Sequence, residues 1–279
     1  MTTPYVRPRS LEEALAARAA HPDWLVLAGG TDAMVDAPHH AAPVGMLDLW
    51  RCAPLCGIAV DGDRVVIGAA TTWLEVAGHD VVAARLAPLA LAAREIGALQ
   101  IQARGTLGGN VGTSSPVGDS LPALLALDAE LELASVRGRR VVPYHAFCTG
   151  YRKTALAADE LIVAARVPLP GAGTHLAWRK VGTRRAQSIS KVMGAAAVTV
   201  DAGIVVDARV ALGAVADRPI RIAAVEHAVR GLPVARAGDA ARAAMRAAIA
   251  PIDDIRSTAA YRLAVAENVV ARFFDGMIG

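Results

Sequence analysis

Trp24-Leu25-Val26-Leu27-Ala28-Gly29-Gly30-Thr31-Asp32 is an apolar run that stops abruptly at a glycine pair, the pattern of a short buried strand entering a tight turn. A second glycine-rich stretch, Arg104-Gly105-Thr106-Leu107-Gly108-Gly109-Asn110, precedes a helix-compatible segment. Glycine lets successive backbone N–H groups converge on an anion with no Cβ in the way. Each stretch is therefore either a simple tight turn or a nest for phosphate oxygens, and two nests suit a pyrophosphate approached from both sides. Neither has the G-x-G-x-x-G spacing of a Rossmann fingerprint or the P-loop pattern.

Working outward, Ser10 and Glu13 form a capping box for a helix that His21-Pro22 stops, so a helix precedes the first strand. Met46 to Leu49 reads as another strand. Ile58 to Val60 and Val65 to Gly68 flank Asp61-Gly62 as a hairpin. Thr72 with Glu75 opens a short helix, Leu86 to Ala98 a longer apolar one. Gly105 to Ser120 reads as a long loop dense in hydroxyl and carboxylate groups (Thr113, Ser114, Ser115, Asp119). These groups suit a sugar or ribityl chain; alternatively the loop is merely solvated, with Asp119-Ser120 capping the helix from Pro122 to Asp128. Leu131 to Ala134 and Val141 to Pro143 form a hairpin around Arg137-Gly138, and Leu161 to Val167 is a strand.

Prolines and glycines between Pro168 and Gly173 mark a boundary, which divides the chain into 1–170 (subdomains about 1–57 and 58–170) and 174–279. Beyond it, segments at His175 to Val181, Gly194 to Val200 and Ile204 to Leu212 form an antiparallel meander. Helices follow at Ala223 to Arg230, near Ala240 to Ala250, and from about Ser257 to Phe274. The fold class is α+β.

Composition excludes several function classes. The chain has 279 residues, 54% of them apolar and 20% charged, which is globular composition. A net charge of +3 without a basic block gives no footprint for nucleic acid. No apolar run reaches the roughly 18 residues of a membrane span, and the N-terminus lacks the features of a secretory signal. Three cysteines (Cys52, Cys56, Cys148) cannot build a disulfide framework, so the expected location is cytoplasmic. Cys52 and Cys56 are too few to ligate an iron–sulfur cluster and read as small core residues. His39-His40 point apart on any regular backbone and read as loop, not metal ligands. With no nucleophile elbow and no HExxH, no metal or hydrolase site is expected.

In order, the motifs are Ala28-Gly29-Gly30-Thr31-Asp32, Asp48-Leu49, Ile67-Gly68-Ala69-Ala70-Thr71-Thr72, Ile96-Gly97 and Arg104 to Asn110. Then come Ser115-Pro116 to Asp119, Pro122 to Leu127, Gly150 to Thr154, Asp159-Glu160-Leu161, Lys180 to Arg185, and Asp254-Ile255-Arg256 with Tyr261-Arg262. Over nearly the whole chain this order resembles the FAD-binding medium subunits of the molybdenum hydroxylases, the family of xanthine dehydrogenase and CO dehydrogenase. The first loop differs from the His-Ser variant associated with CO dehydrogenase subunits.

The resemblance implies a two-subdomain FAD-binding fold of the vanillyl-alcohol oxidase (PCMH) type, with a C-terminal domain of antiparallel sheet and helices. By motif position, Val26, Leu27, Ala28, Gly29, Gly30, Thr31, Asp32 and Ala33, with Thr106, Leu107, Gly108, Gly109 and Asn110, would hold the pyrophosphate. Ile96 and Ile162 would line the flavin or adenine environment. Ser114 and Asp119 would bind FAD hydroxyls. Lys180 would lie near the isoalloxazine, where an ammonium favours negative charge on reduced flavin. No catalytic acid–base residue is implied.

The implied partners are a large subunit with a molybdopterin-type cofactor and a small [2Fe-2S] subunit, in a dimer of heterotrimers that passes electrons to NAD, oxygen, a quinone or a cytochrome. Two alternatives stand beside this: a free-standing FAD oxidoreductase using His175, Arg184, Arg185, Gln187 and Ser188 as a substrate pocket, and an assembly subunit without FAD.

Overall fold

The structure, a computed structural model, describes residues 3–36, 41–184 and 187–277. His39-His40 and Arg185 lie outside the described residues.

The chain opens with β1 (Tyr5–Val6), α1 (Leu11–Ala20), β2 (Leu25–Leu27), α2 (Ala33–Asp36) and β3 (Met46–Asp48). The three strands form a parallel sheet in the order β1-β3-β2. Ser10 caps α1 through Glu13 N–H at 3.1 Å, while Glu13 accepts from Arg9 N–H, one residue before the cap. Leu49 N–H donates to the Leu27 carbonyl at 2.7 Å, tying the β3 exit to the end of β2.

The next unit contains β4 (Ile58–Asp61), β5 (Arg64–Gly68), α3 (Trp73–Gly78), α4 (Asp80–Arg85), α5 (Ala87–Glu95), α6 (Leu99–Gln102), α7 (Leu107–Thr113), α8 (Leu121–Ala126), β6 (Glu130–Ser135), β7 (Gly138–Pro143), α9 (Tyr144–Phe147), β8 (Cys148–Gly150), β9 (Lys153–Thr154) and β10 (Leu161–Pro168). Its antiparallel sheet runs β4-β5-β10-β6-β7, with β10 central. Buried Trp73, Leu86, Leu89, Leu107, Leu121, Leu124, Tyr144 and Phe147 join the sheet and its helices in one core.

The remainder comprises β11 (Thr174–Val181), β12 (Val192–Asp201), β13 (Ile204–Gly213), β14 (Ile220–Arg221), α10 (Ala223–Val229), α11 (Val234–Met245) and α12 (Ala259–Asp275). The strands lie side by side in that order. β12 is apolar and buried from Val192 to Val198 because it is an interior strand whose two faces are both covered.

The mixed α+β architecture matches the expectation, with local departures. Gly105 to Ser120 is not one loop, since α7 occupies its first half. The helix expected from Leu86 to Ala98 stops at Glu95, because Gly97 turns in the left-handed region at φ +58°. The helix expected from Ala240 starts at Val234 and runs through Gly238, where a Cβ would come within 2.1 Å of Asp275 Oδ1 on α12. Cys52 is buried, but Cys56 is exposed and not a core residue. Among the described residues, no helix is long and apolar enough to cross a membrane.

Candidate functional site

The two glycine stretches meet. A Cβ on Gly29 would lie 1.7 Å from the Arg104 carbonyl oxygen, so the two backbones touch at a point that only glycine permits. Arg104 also donates from Nε to the Gly29 carbonyl at 3.3 Å, and its guanidinium lies 3.9 Å from the centre of the Trp50 ring. Trp50 is fixed in turn by its N–H on Asp48 Oδ1 at 2.8 Å, and Asp48 accepts from the Tyr5 hydroxyl. Gly30 turns at φ +76°. Asp32 Oδ2 accepts from Thr113 Oγ1 at 2.9 Å, which ties the first loop to the end of α7. The N–H groups of Gly29, Gly30, Thr31 and Asp32 donate to nothing among the described residues. Partly exposed N–H groups in succession are the raw material of an anion nest.

The second stretch is built differently. Thr106 is the N-cap of α7 and accepts from Gly109 N–H at 3.1 Å. Leu107 N–H donates to the Thr71 carbonyl, Gly108 N–H to that of Ala69 at 2.7 Å, and Asn110 N–H to that of Thr106. The amides of Leu107 through Asn110 are therefore already engaged, unlike those of Gly29 through Asp32, so the two stretches differ in what they offer an anion. Gly108 is needed for packing, since its Cβ would sit 2.7 Å from that of Ala69. A Cβ on Gly109 would meet only Thr106 Oγ1, at 3.0 Å. Asn110 Oδ1 accepts from Ser120 Oγ at 2.6 Å, leaving its NH2 as donor.

Both stretches line one cleft of about 2200 Å³, larger than the roughly 300–1,000 Å³ of an ordinary small-molecule pocket. Of the residues singled out from sequence, Val26 through Ala33, Ile96, Thr106, Gly108, Gly109, Asn110, Asp119 and Ile162 lie in its wall. Leu107, Ser114 and Lys180 do not. Leu107 faces the core, and Ser114, fully buried in a left-handed C-cap at φ +49°, places its Oγ 2.8 Å from Cys148 Sγ. Lys180 stands behind Asp119, its ammonium donating to Asp119 Oδ2 at 2.6 Å and to the Glu95 carbonyl at 3.1 Å.

Burial pushes the Asp119 carboxyl up from its ordinary value, opposed by the Lys180 ammonium and by Ser190 Oγ, which donates to Oδ1 at 2.6 Å. Arg184, Gln187 and Ser188 line the cleft, whereas His175 is exposed on β11 and does not. Sequence reading missed Ile101, Tyr151 and Glu160 as wall residues. Glu160 was visible only as part of the Asp159-Glu160-Leu161 motif, and nothing in the sequence signalled its partner.

The family described as "FAD binding domain in molybdopterin dehydrogenase" matches residues 1–170, and "CO dehydrogenase flavoprotein C-terminal domain" matches 177–277. The chain belongs to this molybdopterin dehydrogenase flavoprotein family. The nicotinate dehydrogenase FAD-subunit of Eubacterium barkeri is 32% identical to it over 237 residues, 82% of this chain and 80% of the relative. The carbon monoxide dehydrogenase medium chain of Hydrogenophaga pseudoflava is 34% identical over 275 residues, 96% and 94% of the two chains. The solved carbon monoxide dehydrogenase from that organism, in the form lacking the Mo-pyranopterin moiety, superimposes with a TM-score of 0.92 at 33% identity, over 98% of this chain and 96% of that one. The chain is thus similar to carbon monoxide dehydrogenase medium chains while carrying the Gly30-Thr31-Asp32 form of the first loop.

As a member of this family the chain is a medium, FAD-binding subunit of a molybdenum-hydroxylase oxidoreductase. The residues present fit that cofactor. Four open amides and a glycine contact with no room for a Cβ offer a cradle for phosphate oxygens, and the carboxylate of Asp119 stands in the same wall.

Proposed function

We propose that this chain carries electrons within a heterotrimeric molybdenum hydroxylase, between the [2Fe-2S] clusters of a small subunit and an external acceptor. The open amides of Gly29 to Asp32, in the wall of a cleft built around them, carry the reading. FAD supplies the chemistry when bound, since it accepts two electrons and returns them to an acceptor. The protein's task is to bind and orient. On this reading Val26 through Ala33 hold the pyrophosphate, with the face at Gly109 and the Asn110 NH2 opposite. Ile96 and Ile162 supply apolar wall, and Asp119 accepts from a hydroxyl of the cofactor. Leu107 and Ser114 support the wall from behind, and Lys180 acts through Asp119.

This division of labour asks for no proton-transfer dyad in the chain, because the flavin carries the redox chemistry. The pocket that selects a purine, aldehyde, N-heteroaromatic or carbon monoxide belongs to the large molybdenum-binding subunit. The assembly is a dimer of heterotrimers in the cytoplasm, and the chain divides at 170 and 174, its first part at about 57. Each part has buried residues of its own, while Ala195 and Ala211 join the core of the middle part and Leu161 and Val163 that of the first, so the division is one of chain organisation and not of separate cores.

The test is an absorption spectrum of protein purified from its native host, with a denaturing gel of what accompanies it. Flavin and iron–sulfur bands with one large and one small further subunit are expected. Flavin bands from a single polypeptide that turns over a substrate would replace this reading by a free-standing oxidoreductase. No flavin at all would remove both.

A further inference from the structure

We infer that Ser190 is a positioning residue for the cofactor wall: its hydroxyl holds one oxygen of Asp119 while Lys180 holds the other, which presents the carboxylate to the cleft in a single orientation. The inference rests on the reading that Asp119 belongs to the FAD site. Ser190 is fully buried, and its bond to Asp119 Oδ1, at 2.6 Å, joins positions 71 apart in the chain. It stands between β11 and β12, so both flanks of that connection reach the same carboxylate, Lys180 from the end of β11 and Ser190 from just before β12.

The χ2 torsion of an aspartate is broad and roughly two-fold, so a carboxylate held at one oxygen can still swing. Held at both oxygens it cannot, yet it keeps lone pairs on each, because an ionised carboxylate has about four acceptor sites. The surroundings leave Ser190 as the second anchor. α8, which follows Asp119, carries no ionisable residue, and neither does the stretch from Ser114 to Gly118. α5 reaches the pair through the Glu95 carbonyl, which accepts from Lys180. Trp178 Nε1, from β11, donates to the main-chain carbonyl of Asp119 at 3.4 Å and leaves the carboxylate alone.

The test titrates FAD into the flavin-free full-length chain and follows flavin fluorescence, with far-UV circular dichroism as the check on folding. The variants are Ser190→Ala, Ser190→Thr, Asp119→Ala and the double Ser190→Ala/Asp119→Ala. Ser190→Ala is expected to bind FAD roughly tenfold more weakly, the scale of one hydrogen bond to a charged group, and Ser190→Thr to recover most of the loss. In the Asp119→Ala background, which removes both oxygens, Ser190→Ala should add nothing, because a residue acting through Asp119 has no effect once its acceptors are gone. Ser190→Cys keeps the volume with a weak donor and carries the comparison if the alanine variant does not fold.

Wild-type affinity in Ser190→Ala, or the same loss with and without the carboxylate, overturns the inference while Asp119→Ala still binds poorly. If Asp119→Ala itself binds FAD normally, the reading of Asp119 as a cofactor residue falls, and this inference with it.

Discussion

At the scale of single residues, glycines that look alike in the sequence do different work. Gly29 is required by a backbone-to-backbone contact, so Gly29→Ala drives a methyl into the Arg104 carbonyl. Forced overpacking of this kind costs about 1–3 kcal/mol, and the variant is expected to melt earlier and lose FAD together. A Cβ on Gly109 meets only Thr106 Oγ1 and the residue is exposed, so Gly109→Leu should keep about the wild-type melting temperature and still fail to bind flavin. Yellow protein from that variant would refute the placement of the phosphates beside Gly109.

Glu160 gives a pH prediction. It is buried and accepts two bonds from Arg140, at 2.6 and 2.7 Å, and a third from Ala157 N–H at 2.8 Å. Its hydrogen bonds to Arg140 hold the carboxyl below its ordinary 4.5, against the opposing effect of burial. A depressed folded value means that the stabilisation is present above 4.5 and is lost as the pH falls through the folded value. Glu160→Gln is therefore expected to lose about 1.5 kcal/mol at neutral pH, and the gap between the two denaturation midpoints should close in acid. A gap that does not narrow at all as the pH is lowered below 4.5 would contradict the assignment. The loops were legible in the sequence as turns, but which glycine faced a backbone and which an open wall was not, because that depends on contacts such as Gly29 with Arg104, far apart in the chain.

At the scale of elements, α7 shows why local reading failed where it did. Gly108, Gly109 and Gly112 fall inside it, and each glycine costs a helix interior roughly 1 kcal/mol relative to alanine. Propensity therefore argues for a loop. The helix forms because Thr106 caps it and because Leu107 and Gly108 donate to carbonyls at Thr71 and Ala69, the turn that leads from β5 to α3. Elements with period and caps of their own, such as α1, α12 and the β6–β7 hairpin, were legible, since their signals are local. Thr106→Ala removes the cap and is expected to cost about 1 kcal/mol of stability, with Thr106→Ser near wild type. Equal melting of all three proteins would show that the tertiary bonds alone hold the helix.

At the scale of the molecule, the parts on either side of residue 170 share more than a surface. Ala195 of β12 and Ala211 of β13 are buried in the same core as Trp73, Leu89 and Leu124. Lys180 and Ser190 reach back to Asp119, and Arg221 donates to Asp128 Oδ1 at 2.7 Å and to the Leu125 carbonyl at 3.4 Å. Family-level sequence matches divide the chain in two, yet a core continuous across the division couples the halves energetically. Calorimetry of the full chain is therefore expected to show one cooperative transition, in which the part after residue 174 does not melt first. FAD should raise its midpoint, because a ligand that binds only the folded chain adds about 2.7 kcal/mol at a hundredfold excess over Kd. Two resolved transitions, with FAD moving only the one assigned to residues 1–170, would show that the later strands contribute packing at the division but no support to the cofactor wall.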